Sequence, residues 1–184
     1  MLAPRTTLVH GTHLTPDDVA RVGAAGATVA FCPTTEADLA DGIGPARALA
    51  DARARIALGS DGQTVIDPLL EIRGLEAGER LASGRRGRFA PAELLAAATS
   101  NGAASLGLRP NAFEVGDPAD LVELDPDSPR TRGADADRLV LTATAADVRT
   151  TVVAGRELHG SGRIRRHAAS GSSDSGVSGN GPER

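Results

Sequence analysis

Apolar residues recur along this chain in two rhythms, short unbroken runs and helical stripes, and they alternate. Residues 6–10, Ala27 to Phe31 and Ile56 to Leu58 are short apolar runs bounded by turn residues, the pattern of buried strands. Between the first two, Thr15-Pro16-Asp17-Asp18 opens a helix. Thr15 caps it, Pro16 takes the first helical position, and the two acids face the positive end of the dipole. Val19 and Val22 give that helix its apolar face, and Gly23 and Gly26 are expected to close it. Residues 45–54 predict an Ala-rich helix with Leu49 turned inward. Pro68 to Leu81 predicts a third helix with Leu69, Ile72, Leu75 and Glu76 at helical spacing, followed by a cationic loop at 83–88. Ala90-Pro91-Ala92-Glu93 opens a fourth, running to about Thr99. The order β-α-β-α-β-α-α implies an α/β fold with parallel strands and right-handed crossovers.

The pattern changes after about residue 112. Gly116-Asp117-Pro118-Ala119-Asp120 reads as a turn feeding a strand through Leu124. Arg138 to Thr142 and Val148 to Ala154 read as two more strands, with Gly155-Arg156 a turn before Glu157-Leu158. The expected organisation is therefore an α/β part over 1–112, a small β unit over 113–164, and a Ser/Gly-rich tail over 165–184. The tail has almost no apolar residues and is expected to be disordered.

Composition narrows the picture. Aromatics make up only 2% of the 184 residues, with no Trp and no Tyr, so Ala, Val and Leu must fill the core. Every one of the twenty cationic side chains is Arg, and the net charge is −4. That balance offers no footprint for nucleic acid. A single cysteine, Cys32, excludes an internal disulfide framework and suggests a reducing compartment. No apolar run reaches eighteen residues and the first residues lack a signal-peptide core, so the expectation is a cytoplasmic chain with no membrane partner.

Candidate chemistry gathers at the strand ends. Leu8-Val9-His10-Gly11-Thr12-His13 ends the first strand, and Gly59-Ser60-Asp61-Gly62 ends the third. In a β/α barrel the chemistry lies at the carboxyl ends of strands. His10 suits proton transfer near neutral pH or metal ligation, though a lone strand-end His is often structural. His13 lies at the start of the loop, where it can simply cap it. Asp61 reads either as a turn or cap residue, or as a carboxylate that ligates zinc and accepts a proton. Cys32 ends the middle strand and reads as a buried small residue rather than a nucleophile. Thr34, Thr35 and Glu36 follow it. They either line a substrate pocket shared with His10 and Asp61 or, with Asp38 and Asp41, form a solvated acidic loop.

Three segments together resemble the amidohydrolase superfamily: Leu8-Val9-His10-Gly11-Thr12-His13-Leu14, Cys32 through Gly42, and Gly59-Ser60-Asp61. Related guanine, chlorotriazine and adenosylhomocysteine deaminases carry Cys-Pro-x-Ser-Asn where this chain has Cys32-Pro33-Thr34-Thr35-Glu36. Thr-Thr-Glu resembles the formimidoylglutamate deiminase branch, as do Glu79-Arg80-Leu81 and Gly84 to Phe89. Gly116 to Val122 resembles the strand returning to the small β-sandwich of these enzymes. The resemblance implies the C-terminal part of a TIM-like (β/α)8 barrel, its last three βα units, followed by sandwich strands. It implies that His10, after the sixth barrel strand, orients water and substrate. It also implies that Asp61, after the eighth, is a zinc ligand and proton shuttle. The implied reaction is hydrolysis of N-formimino-L-glutamate to N-formyl-L-glutamate and ammonia.

The family's remaining zinc ligands are a His-x-His after the first barrel strand and a His after the fifth. No His-x-His occurs here, and His159 falls in the β unit. The chain is therefore expected to be the C-terminal portion of a deaminase, from a truncated gene, a frameshift or a misplaced start codon. Alone it would be inactive and would not hold zinc tightly. Open sheet edges would favour self-association or pairing with a missing N-terminal half. The alternatives are a guanine-type deaminase and a non-catalytic half-barrel binding module.

Overall fold

The computed structural model describes residues 1–62, 65–110, 113–160 and 163–164. The expected tail at 165–184 lies outside them, except that residues 163–164 immediately before it are paired.

Three parallel strands, β1 (Thr7–Val9), β2 (Thr28–Phe31) and β3 (Arg55–Leu58), form one sheet in the order β1-β2-β3. Val29 sits at its centre, in register with Leu8 on one side and Ile56 on the other. Helix α1 (Pro16–Ala24) connects β1 to β2 and starts as its residues dictate. Thr15 Oγ1 accepts from the Asp18 amide at 3.2 Å, and the Asp18 carboxylate accepts from the Thr15 amide at 3.1 Å, a closed capping box. Helices α2 (Pro33–Asp38) and α3 (Ala46–Asp51) connect β2 to β3. Helix α4 (Pro68–Ser83) follows β3. Asp67 caps it by accepting from the Leu69 and Leu70 amides, and Gly84 ends it in the left-handed region at φ 65°. Helices α5 (Pro91–Ala98) and α6 (Ser100–Ser105) complete this part, and Asn101 of α6 donates its amide to the Ile56 carbonyl at 2.8 Å.

The core is aliphatic and tight, as the composition requires. Val22, Val29, Phe31, Leu49, Ile56, Ile72 and Leu94 are buried, with Ala27, Ala46 and Ala97 filling the narrow spaces between them. Small residues here bring backbones close together. Gly23 does not close α1 as expected; it lies inside the helix, buried against α3. A Cβ on it would stand 2.1 Å from the Ala52 carbonyl oxygen. The closing residue is Gly26, at φ 60°.

The second part is a four-stranded antiparallel sheet, β4 (Leu121–Leu124), β5 (Val148–Val153), β6 (Arg156–Gly160) and β7 (Arg163–Ile164), in chain order. The turn between β5 and β6 is Ala154-Gly155, both at positive φ, the geometry of a tight hairpin, and Arg156 already belongs to β6. The described residues of this unit form one sheet. One expected strand is helical. Arg138 to Thr142 is the end of a 3-10 turn (Ala136–Arg138) and helix α7 (Leu139–Thr142). Val140 is buried in the main core, and the Arg73 guanidinium of α4 donates to the Ala143 carbonyl. The apolar run Leu139-Val140-Leu141 favours a strand locally, but packing against α4 and α5 overrides that preference.

Candidate active site

The site begins with two residues whose backbones are left-handed. His10 follows β1 at φ 64° and Asp61 follows β3 at φ 50°. His and Asp are among the residues that tolerate this region best. Backbone conformations of this kind concentrate at functional sites, so the observation directs attention there. The His10 amide donates to the Ala30 carbonyl at 2.7 Å, so the residue is still held by the sheet while its side chain turns over the mouth.

β1 and β3 are separated by β2, two strand spacings or about 9–10 Å. Even so, His10 Nε2 and Asp61 Oδ2 stand 3.6 Å apart. The two side chains reach across the carboxyl end of the sheet and meet over it. That distance is too long for a hydrogen bond, and both groups keep access to solvent, with side-chain exposures of 33% and 45%. A small molecule at the mouth would meet both. His13 is exposed.

The Thr34-Thr35-Glu36 segment is the first turn of α2, and each of its side chains engages a different part of the fold. Thr34 donates to the Glu71 carboxylate of α4 through its amide at 3.0 Å and its hydroxyl at 2.5 Å. Thr35 donates its hydroxyl to the Ser60 carbonyl at 2.9 Å, tying α2 to the turn that carries Asp61. Glu36 Oε1 lies 3.2 Å from His10 Nδ1 and accepts from the Cys32 amide at 2.8 Å. Glu36 is only 5% exposed, so the solvated-loop reading fails for it. One short helix therefore cross-links the ends of β1 and β3 and the start of α4. Glu71, 1% exposed, was not singled out from sequence. Its spacing four residues before the buried Leu75 was the available signal.

Cys32 is buried with its sulfur against Gly59. Burial, then the carboxylates of Glu36, Asp61 and Glu71, push its thiol up to about 11. That environment disfavours the thiolate, in keeping with a buried small residue.

Zinc needs three or four protein donors. Among the described residues no three His, Cys, Asp or Glu groups converge in a way that would hold a metal ion. His159 lies on β6, opposite Thr151. Asp61 can supply one donor to a zinc centre, with His10 beside it. Among the described residues no helix is long and apolar enough to cross a membrane.

The parallel β/α units thus bring an imidazole and a carboxylate together at the carboxyl ends of the strands, the face on which β/α barrels carry their chemistry. The profile of the amidohydrolase family matches residues 1–158, and the chain belongs to that family. It is 35% identical over 170 residues to a formimidoylglutamate deiminase of Pseudomonas aeruginosa, covering 86% of this chain and 38% of that protein. It is 32% identical over 163 residues to a 5-methylthioadenosine/S-adenosylhomocysteine deaminase of Halobacterium salinarum, with the same coverages. Its fold superposes on a crystal structure of an adenosine deaminase from Xanthomonas campestris with bound zinc at a TM-score of 0.81 and 30% identity, covering 86% of this chain and 38% of that one. The chain thus spans 38% of the length of these relatives.

Proposed function

We propose that this chain supplies the last three βα units and one side of the active site of a metal-dependent deaminase that converts N-formimino-L-glutamate and water to N-formyl-L-glutamate and ammonia. The observation that carries the reading is the meeting of His10 and Asp61 over the sheet, at 3.6 Å. Water adds to the formimino carbon, and the C–N bond to the departing nitrogen breaks. His10 orients and polarises the reacting groups. Asp61 accepts a proton from water and returns it to the leaving nitrogen. Zinc belongs to the complete enzyme, and Asp61 is the ligand this chain contributes. The antiparallel sheet is then part of the family's small β-sandwich. The partner that completes the barrel is the remainder of the amidohydrolase fold, and the single buried cysteine suits a reducing cytoplasm.

The choice of substrate rests on Thr34-Thr35-Glu36 and on the 35% identity to the Pseudomonas deiminase. The 32% identity to the Halobacterium enzyme favours a nucleoside as the second reading. A chimera separates the two. The segment of the Pseudomonas deiminase that precedes the matched region is joined to this chain, and ammonia is assayed with formiminoglutamate, 5-methylthioadenosine, S-adenosylhomocysteine and guanine. Release from formiminoglutamate alone is expected. Preferential release from a purine substrate would overturn the assignment.

A further inference from the structure

We propose that Glu36 is a positioning residue that fixes His10 in its Nδ1–H tautomer, leaving the Nε2 lone pair turned toward Asp61 and the mouth. The catalytic meaning of this arrangement rests on the deaminase reading; the arrangement itself does not. A neutral imidazole has one donor and one acceptor, and an ionised carboxylate only accepts. Two carboxylates face the ring from opposite sides, so they compete for a single ring proton. Glu36 Oε1 lies within hydrogen-bond range of Nδ1 at 3.2 Å, whereas Asp61 Oδ2 lies beyond it from Nε2 at 3.6 Å.

Burial decides the competition in the same direction. The Glu36 side chain is 7% exposed and the Asp61 side chain 45%. Water can satisfy Asp61, whereas the buried Glu36 carboxylate, with the Cys32 amide as one donor, gains a second from the imidazole that solvent does not readily replace. Glu36 is also preorganised. Its Oε1 is held by the Cys32 amide, and the helix that carries it is tied by Thr34 to Glu71 and by Thr35 to Ser60. A histidine side chain free in solution favours the Nε2–H form, so the site selects the form that solution does not. Glu36 therefore acts on substrate through His10 rather than by touching it, as a second partner does for a metal-bound or catalytic imidazole.

Long-range 15N–1H correlation on the 184-residue chain, well above the ordinary imidazole pKa of about 6.5, reads the tautomer directly. His10 is expected to show a protonated-type shift at Nδ1 and an unprotonated-type shift at Nε2. The exposed His13 should show the averaged pattern of a histidine side chain free in solution in the same spectrum. Glu36→Ala is expected to move His10 to the His13 pattern, and Asp61→Asn to leave it unchanged. An Nε2–H or averaged His10 in the unaltered chain overturns the proposal, and that result needs no variant to fold. So does a His10 pattern that survives Glu36→Ala or switches with Asp61→Asn. None of these readouts depends on turnover, so a failed deaminase assay leaves them intact.

Discussion

Gly23 and Gly78 both lie inside helices, and the structure assigns opposite signs to their replacement by alanine. In an exposed helix, Gly→Ala gains about 0.8–1.0 kcal/mol. At Gly78 the nearest atom to an added Cβ is Ile43 Cγ2 at 3.4 Å, an ordinary contact, so that gain should be realised. At Gly23 the added Cβ would stand 2.1 Å from the Ala52 carbonyl oxygen and 2.6 Å from the Ala52 Cβ. Carbon contacts are optimal near 3.5–4.0 Å, so α1 and α3 would have to part by more than about 1 Å. Overpacking of this kind costs about 1–3 kcal/mol, and backbone cannot rotate out of the way, which places this case in the upper half. After the helical gain, Gly23→Ala should lose about 1–2 kcal/mol. With a urea m-value of about 2 kcal/mol/M, its midpoint falls by about 0.5–1 M while that of Gly78→Ala rises by about 0.4–0.5 M. Far-UV circular dichroism follows the transition, since the chain has no Trp or Tyr. A Gly23→Ala midpoint at or above that of the unaltered chain would refute the packing argument.

Three further outcomes are expected of the folded chain. Cys32, buried and with its thiol pushed up to about 11, should react with iodoacetamide at pH 8 far more slowly in the folded chain than in urea; equal rates would contradict its burial. Asp147 is held well below the usual carboxylate range, chiefly by the Arg130 guanidinium, which donates from Nε at 2.9 Å and from Nη2 at 2.7 Å. Its contribution to stability is full above the unfolded carboxyl pKa of about 3.9 and is lost as pH falls through the lower folded value. Asp147→Asn should therefore flatten the stability profile below about pH 4, and an unchanged acid profile would count against the pair. Zinc in the purified 184-residue chain, measured by mass spectrometry, should be well below one per chain; a stoichiometric, tightly held ion would mean that donors beyond Asp61 converge.

The α/β part was legible because its signals are local and agree with one another. Thr15-Pro16 with Asp18 carries the full signature of a helix start, and the apolar runs at β1, β2 and β3 alternate with helix-start signals, which favours strands. Helix α7 was not legible, since Leu139-Val140-Leu141 is ambiguous alone and becomes helical through contacts with α4 and α5. Gly23 carried a misleading signal. A glycine near a helix end usually marks a terminus, and here it marks a close approach to Ala52. At the site, His10 and Asp61 could be paired from their places at strand ends. The inward turn of Glu36 could not, because it depends on a hydrogen bond 26 residues back in the chain. Nor could the grip of Glu71 on Thr34, 37 residues away.

The central claim is that His10 and Asp61 crown one mouth and act on one C–N bond. Ammonia release from N-formimino-L-glutamate by the Pseudomonas chimera, measured beside its Asp61→Asn and His10→Ala forms, tests it most directly. The account predicts turnover in the first and loss of at least about 100-fold, the usual scale for removing a proton-transfer group, in each of the other two, with unchanged folding. Turnover that persists in either variant would contradict it.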